Sequence, residues 1–220
     1  MGSIEENVLK IQEEIAPYKP NIIAVTKYFD ESKIEEAYQA GLRDFGESRV
    51  IYAIEKIQKL SQDTRQNSKF HLIGHLQSNK ARKAVKFFDL IHSVDSLELA
   101  KTISQEAIKE GKIQKILLQL NNAQEEQKFG FSKGELFAIF EQIKELKGIE
   151  IKGLMNMAPF GATSPELKEL FEDVVKTRNE LEKKYHCELK EISMGMSGDY
   201  KEACEAGATM IRIGRKLFST

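Results

Sequence analysis

Lys27 closes the first strongly apolar run of the chain, Asn21-Ile22-Ile23-Ala24-Val25-Thr26-Lys27. Such a run reads as a buried strand, and an amine at its end stands beside low-dielectric packing, where the neutral, nucleophilic form is favoured. The chemistry it offers is Schiff-base capture of an aldehyde. An unperturbed lysine of pKa about 10.4 is neutral in only roughly one molecule per few thousand at pH 7, so burial or a neighbouring cation has to assist. Far along the chain, Ser193, Gly195, Ser197, Gly198 and Asp199 crowd one short stretch, and Arg212-Ile213-Gly214 follows. Small residues let peptide N–H groups approach an anion, a helix starting at Tyr200 adds its dipole, and Arg212 adds a fixed positive charge. Together they read as a phosphate cradle. Asp199 would repel phosphate and is assigned to capping the helix.

The elements that must position these groups alternate regularly. Short apolar runs at residues 21–27, 44–47, 70–74, 90–94, 115–121, 149–157, 189–194 and 210–215 read as strands. An amphipathic stretch at 4–15 and helical-period segments at 32–40, 50–61, 79–87, 96–109, 133–146, 165–185 and 200–206 read as helices. Leu136, Ile139, Phe140, Ile143 and Leu146 make one apolar stripe, and Leu167, Leu170, Phe171, Val174 and Val175 make another. Ser164 before Pro165 reads as the cap of the long helix. With no polar linker between any two elements, the expectation is one α/β domain over residues 1–220, with a parallel sheet. Eight strands favour closure into a (β/α)8 TIM-type barrel with an extra N-terminal helix.

A barrel places chemistry at the carboxyl ends of its strands, with phosphate groups beside the loops after the last two. Closure makes the first and eighth strands neighbours, which brings Lys27 beside Arg212-Ile213-Gly214. An amine next to a phosphate cradle is what capture of pyridoxal 5′-phosphate (PLP) requires, and Arg212 is the cation that could assist the amine.

Composition excludes several other classes. The 33 basic and 34 acidic side chains nearly cancel, so the net charge suggests no nucleic-acid partner. Cys187 and Cys204 form neither a CxxC pair nor a Cys/His cluster, which speaks against a disulfide framework and a zinc site. Glu5, Glu6 and Lys10 stand where a secretory peptide needs an apolar block, and no run reaches membrane-spanning length. A soluble protein of a reducing cytoplasm is expected.

His71 and His75 stand four apart, but Gly74 and the apolar residues between them indicate strand and turn, so packing or hydrogen bonding is expected of both. His92 and His186 have no constellation around them in the sequence. The basic segment 79–86 reads as a solvated helix face over buried Ala81, Ala84, Val85 and Phe88, and residues 121–128 as an exposed loop.

Six stretches then resemble, in order, the motifs of one family: Ala24-Val25-Thr26-Lys27, Phe45-Gly46-Glu47-Ser48-Arg49, His71 to Lys80, Gly153 to Pro159, Ser193-Met194-Gly195-Met196-Ser197 and Arg212-Ile213-Gly214. The chain resembles the YggS/PROSC family of pyridoxal phosphate homeostasis proteins, which is similar to the amino-terminal barrel of alanine racemase, fold-type III. The resemblance implies PLP as cofactor, with Lys27 as its Schiff-base lysine. It implies phosphate held by serine from the Ser193 to Ser197 stretch and by backbone at Gly214 and Arg215. Arg212 would face the pyridine nitrogen or the phosphate, and Met157 would lie against the ring where the racemase has a histidine. Lys128 is a secondary candidate to accept or contact the cofactor. Ser48 stands where asparagine is usual, which shortens its reach toward the cofactor, and Arg215 stands where threonine or serine is usual, which removes a hydroxyl but keeps the N–H.

An arginine at the pyridine nitrogen keeps it unprotonated and weakens the electron sink, and a two-base racemase takes its second base from a separate domain that this length does not encode. The expected function is storage, buffering or delivery of PLP without substantial turnover, with PLP-requiring apo-enzymes as partners and a monomer as the expected state. The competing expectation is a small racemase-like enzyme in which Tyr28 or a partner subunit supplies the second base.

Overall fold

Ser3 and Glu6 form a reciprocal capping box that starts α1 (Ile4–Glu14), whose face of Ile4, Val8 and Ile11 is buried. The computed structural model describes residues 3–123 and 129–219. After α1 the chain runs β1 (Asn21–Val25), α2 (Glu31–Gln39), β2 (Asp44–Glu47), α3 (Val50–Lys59), α4 (Gln62–Gln66), β3 (Lys69–Leu72), a 3-10 turn (Ser78–Lys80), α5 (Ala81–Phe87), β4 (Leu90–Val94) and α6 (Leu97–Lys109). It continues through β5 (Gln114–Leu120), α7 (Lys133–Lys144), β6 (Ile149–Asn156), α8 (Ser164–Tyr185), β7 (Glu191–Ser193), α9 (Tyr200–Ala206), β8 (Met210–Ile213) and α10 (Arg215–Phe218). The strands pair in parallel in sequence order, and β1 returns to β8 to close the barrel, with Ile23 opposite Arg212 and Ala24 opposite Ile213.

Alternation along each strand divides the packing. Outward residues such as Ile22, Ala24, Phe45, Leu72, Ile91 and Ile211 join the helix stripes in the main core, where Leu136, Phe140, Leu167, Phe171 and Val174 are all buried. Inside the barrel a second apolar cluster holds Ile23, Leu90, Leu117, Met155 and Met210. Gly46 faces this interior, where a Cβ would lie 2.9 Å from the Ile23 side chain and 3.2 Å from that of Ile73, so a larger residue would force both to shift. The interior is also partly polar: His71, His92, Ser193 and Arg212 are buried there.

The eight-strand expectation matches, with corrections at several ends. β1 stops at Val25, because Thr26 turns its hydroxyl to Glu47 and its carbonyl accepts from the Phe29 N–H. β8 stops at Ile213, and Gly214 opens α10, which with α4 was not expected. The long helix is capped by Thr163 in a box with Glu166 and not by Ser164, which lies one residue inside.

Candidate functional site

The loops at the carboxyl ends of β1, β2, β3, β6, β7 and β8 enclose a cavity of about 660 Å³. That is in the range of small-molecule and cofactor sites. Lys27 lines it from the β1 exit together with Tyr28 and Phe29. Ser48 lines it after β2, Met157 to Ala162 after β6, Met196 to Asp199 after β7, and Arg212, Gly214 and Arg215 from β8 onward. The structure therefore brings seven of the eight expected site residues to one cavity. Ser193 is the exception.

Lys27 is not buried, contrary to expectation. It stands beyond the strand in the Thr26 to Phe29 turn, exposed, with its Nζ 4.9 Å from the Tyr28 ring. What is buried is the support beneath it. The Thr26 hydroxyl donates to Glu47 Oε1 at 2.6 Å. The Lys56 ammonium pairs with the same carboxylate oxygen and donates to the carbonyls of Thr26 and Phe29 at 2.9 and 3.0 Å. The turn carrying the amine is thus pinned at both ends by one lysine.

On the opposite wall, Gly195 (φ +86°) lets the chain after β7 turn close against α9. Asp199 occupies the cap position of α9 but makes no side-chain cap. Its carboxylate folds back to accept from the Met196 N–H, correcting the assigned capping role. Burial raises its pKa. Among the described residues the peptide N–H groups of Ser197, Gly198 and Arg215 have no acceptor, and the Ser197 hydroxyl, approached only by the Lys216 N–H at 3.5 Å, keeps its own proton free to donate.

Arg212 forms the inner wall between these sides. Its guanidinium is buried and donates to Ser193 Oγ at 2.7 Å and to the Asn156 carbonyl at 2.8 Å. Burial pushes its pKa down to about 10, which leaves it charged at neutral pH, and among the described residues no carboxylate touches it. Ser193 lies one layer deeper, fully buried against Arg212 and His92, because β7 alternation turns it into the barrel and away from the cavity. His92, which the sequence left without partners, is therefore part of a buried polar group. His75 pairs instead with Asp95 at 2.9 Å and stacks on Phe129. Lys128 lies outside the described residues.

Thr26, Glu47, Lys56 and His92 are the supporting residues that the sequence reading missed. The adjacency of Thr26 and Glu47 to strand ends was a usable signal. Lys56 was not legible, since the carbonyls it holds belong to Thr26 and Phe29, 30 and 27 residues away in the chain.

The family model for the alanine racemase N-terminal domain matches residues 1–220, the whole chain. The chain belongs to that family. Among relatives of this racemase-domain family member, a protein from Synechocystis sp. named pyridoxal phosphate homeostasis protein is 42% identical over 208 residues, covering 94% of each chain. One of the same name from Escherichia coli K12 is 30% identical, over 99% of this chain and 97% of the relative. Among solved structures, PipY of Synechococcus elongatus with PLP bound superposes with a TM-score of 0.90 at 39% identity, over 99% of this chain and all of that one. Alanine racemase of Clostridium difficile shares the fold at 16% identity with a TM-score of 0.78, and the racemase-domain chain spans 56% of its length.

Proposed function

We propose that the chain holds PLP in the cavity at the strand ends and serves its storage, buffering or delivery, without substantial turnover of its own. When bound, the cofactor supplies an aldehyde that condenses with primary amines and a ring that withdraws electrons. The observation that carries the reading is a donor set: an accessible amine, free N–H and hydroxyl donors, and a buried guanidinium without a contacting carboxylate share one cavity. A buried cation costs several kcal/mol unless it is complemented, and an anionic ligand supplies the complement.

Each residue then has a role. Lys27 presents the amine for covalent attachment. Ser197 and the N–H groups of Ser197, Gly198 and Arg215 receive the phosphate, while Gly214 keeps the backbone close to it. Met157 offers an apolar flank to the ring, and Ser48 a short hydroxyl at its edge. Arg212 supplies positive charge from below, and Ser193 acts on the site through Arg212 alone. PipY with PLP bound and the relatives named for PLP homeostasis support the reading. Residence in the cytoplasm and transfer to PLP-requiring apo-enzymes belong to the same proposal. No described helix is long and apolar enough to cross a membrane.

The test is borohydride reduction in the presence of PLP followed by peptide mapping. A label on Lys27, absent in Lys27→Ala, is expected. A label confined to Lys128 or another lysine, with Lys27 spared, overturns the assignment.

A second reading, amino-acid racemisation, rests on Tyr28, whose ring lies next to the Lys27 amine. Tyr28 is 81% exposed, however, which leaves its hydroxyl without the packed position that an acid/base group needs. Lys27-dependent exchange of amino-acid α-protons in heavy water, turning over many times, would establish that reading over a carrier.

A further inference from the structure

Five side chains from five strands form an unbroken hydrogen-bonded line through the barrel interior. Arg212 Nη1 donates to Ser193 Oγ at 2.7 Å, and Ser193 Oγ is 2.9 Å from His92 Nδ1. His92 Nε2 is 2.9 Å from His71 Nδ1, and His71 Nε2 is 2.9 Å from Asp44 Oδ1. Asp44 opens β2, at the end of the barrel opposite the cavity. Each of the five is buried.

With both imidazoles neutral, the two ends fix the direction of every bond. A guanidinium only donates and an ionised carboxylate only accepts. Ser193 accepts from Arg212, so its one proton goes to His92 Nδ1. His92 then carries its proton on Nε2 and gives it to His71 Nδ1, and His71 likewise donates from Nε2 to Asp44. All donors and acceptors in the line are satisfied with both imidazoles neutral. Adding a proton at His71 reverses the two inner bonds, points His92 Nδ1–H at Ser193, and leaves the serine proton buried without an acceptor, at a cost. The charged groups facing the line are Asp44 with Lys69 near it at one end, and Arg212 with Asp199 near it at the other. Desolvation holds His92 in its neutral form, in keeping with this arrangement.

We propose that His71 and His92 are positioning residues for the cofactor site: as two neutral, Nε2-protonated imidazoles they run a one-way hydrogen-bond chain from Arg212 to Asp44 that fixes the guanidinium beneath the bound ligand. The functional half of this inference rests on the PLP reading above.

The test has two arms that fail separately. In the first, ¹⁵N-histidine NMR on the ligand-free protein at neutral pH reads the tautomers. Both His71 and His92 protonated on Nε2 alone is the expected result, and an Nδ1-protonated or doubly protonated ring at either position overturns the chain. In the second, PLP affinity is titrated by absorbance for wild type, Ser193→Ala, Ser193→Thr, His92→Leu and the Ser193→Ala/His92→Leu double variant, with circular dichroism to verify folding. Ser193→Ala and His92→Leu each weaken binding about tenfold, and the double variant is no weaker than the worse single one. Ser193→Thr, which keeps the hydroxyl, loses less affinity than Ser193→Ala. Equal affinities for wild type, Ser193→Ala and His92→Leu overturn the positioning role. Absence of PLP uptake by wild type sinks the PLP reading instead, and the chain then stands or falls on the tautomers.

Discussion

Lys56 reaches from α3 beneath the exit of β1 and pairs with Glu47 at the end of β2, and the two together hold the turn that carries Lys27. Both members of the pair are largely withdrawn from water, so removing one leaves the other uncompensated. Lys56→Met is expected to lower the unfolding free energy by about 3 kcal/mol, read from urea midpoints at unchanged slope. The double variant Glu47→Gln/Lys56→Met loses less than Lys56→Met alone. In both, borohydride trapping of PLP on Lys27 is slowed, because the amine is no longer held over the cavity.

How far the sequence disclosed this site depends on which contacts are local. Lys27, Ser197, Arg212 and Gly214 were legible because strand alternation and closure decide where a strand's carboxyl end points. Lys27's exposure was not, since one hydroxyl, that of Thr26, turns the chain out of the sheet two residues earlier than the apolar run suggests. Ser193 and Ser197 look equivalent in sequence, yet alternation sends Ser193 inward while the Gly195 turn returns Ser197 to the cavity. The partners of His92 come from β3 and β7, and no linear spacing encodes a meeting across a barrel.

The buried imidazole also gives an acid-stability prediction. The folded-state pKa of His92 lies well below its ordinary value of 6.5, with desolvation as the largest cause and the buried Arg212 charge acting in the same direction. Below pH 6.5 the unfolded chain binds a proton at this position that the folded chain does not, so stability falls as pH falls. The expected contribution to the slope is up to about 1.4 kcal/mol per pH unit. Denaturation between pH 6.5 and 5 should show a shallower slope in His92→Leu than in wild type, whatever the absolute stability of the variant.

A separate carboxylate ties α1 to the barrel. Glu14 accepts from Lys216 Nζ at 2.6 Å and from the Tyr200 hydroxyl, which hold its pKa down at about 2. Because the folded value lies below the unfolded 4.5, the stabilisation is present above pH 4.5 and is lost as pH falls toward 2. The side chains are partly solvated, so Glu14→Gln is expected to cost only about 1 kcal/mol at pH 7. That difference should shrink at pH 3 when wild type and variant are compared by guanidinium denaturation.

Gly195→Ala tests the wall opposite Lys27. The residue has φ +86°, and an added Cβ would lie 2.6 Å from the Ala203 Cβ and 3.1 Å from the Tyr200 Cα, both fixed in α9. A left-handed conformation costs alanine roughly 1 kcal/mol, and the clash adds overpacking of about 1–3 kcal/mol. Relief of that strain requires the segment from Met196 to Asp199 to move away from α9, which displaces the Ser197 hydroxyl and the N–H groups beside it. The variant should therefore lose thermal stability and bind PLP more weakly, while methylamine-activated pyridoxal, which lacks the phosphate, should label Lys27 at the wild-type rate. A loss of pyridoxal labelling equal to the loss of PLP binding would place the damage at the amine and refute the phosphate role of this loop.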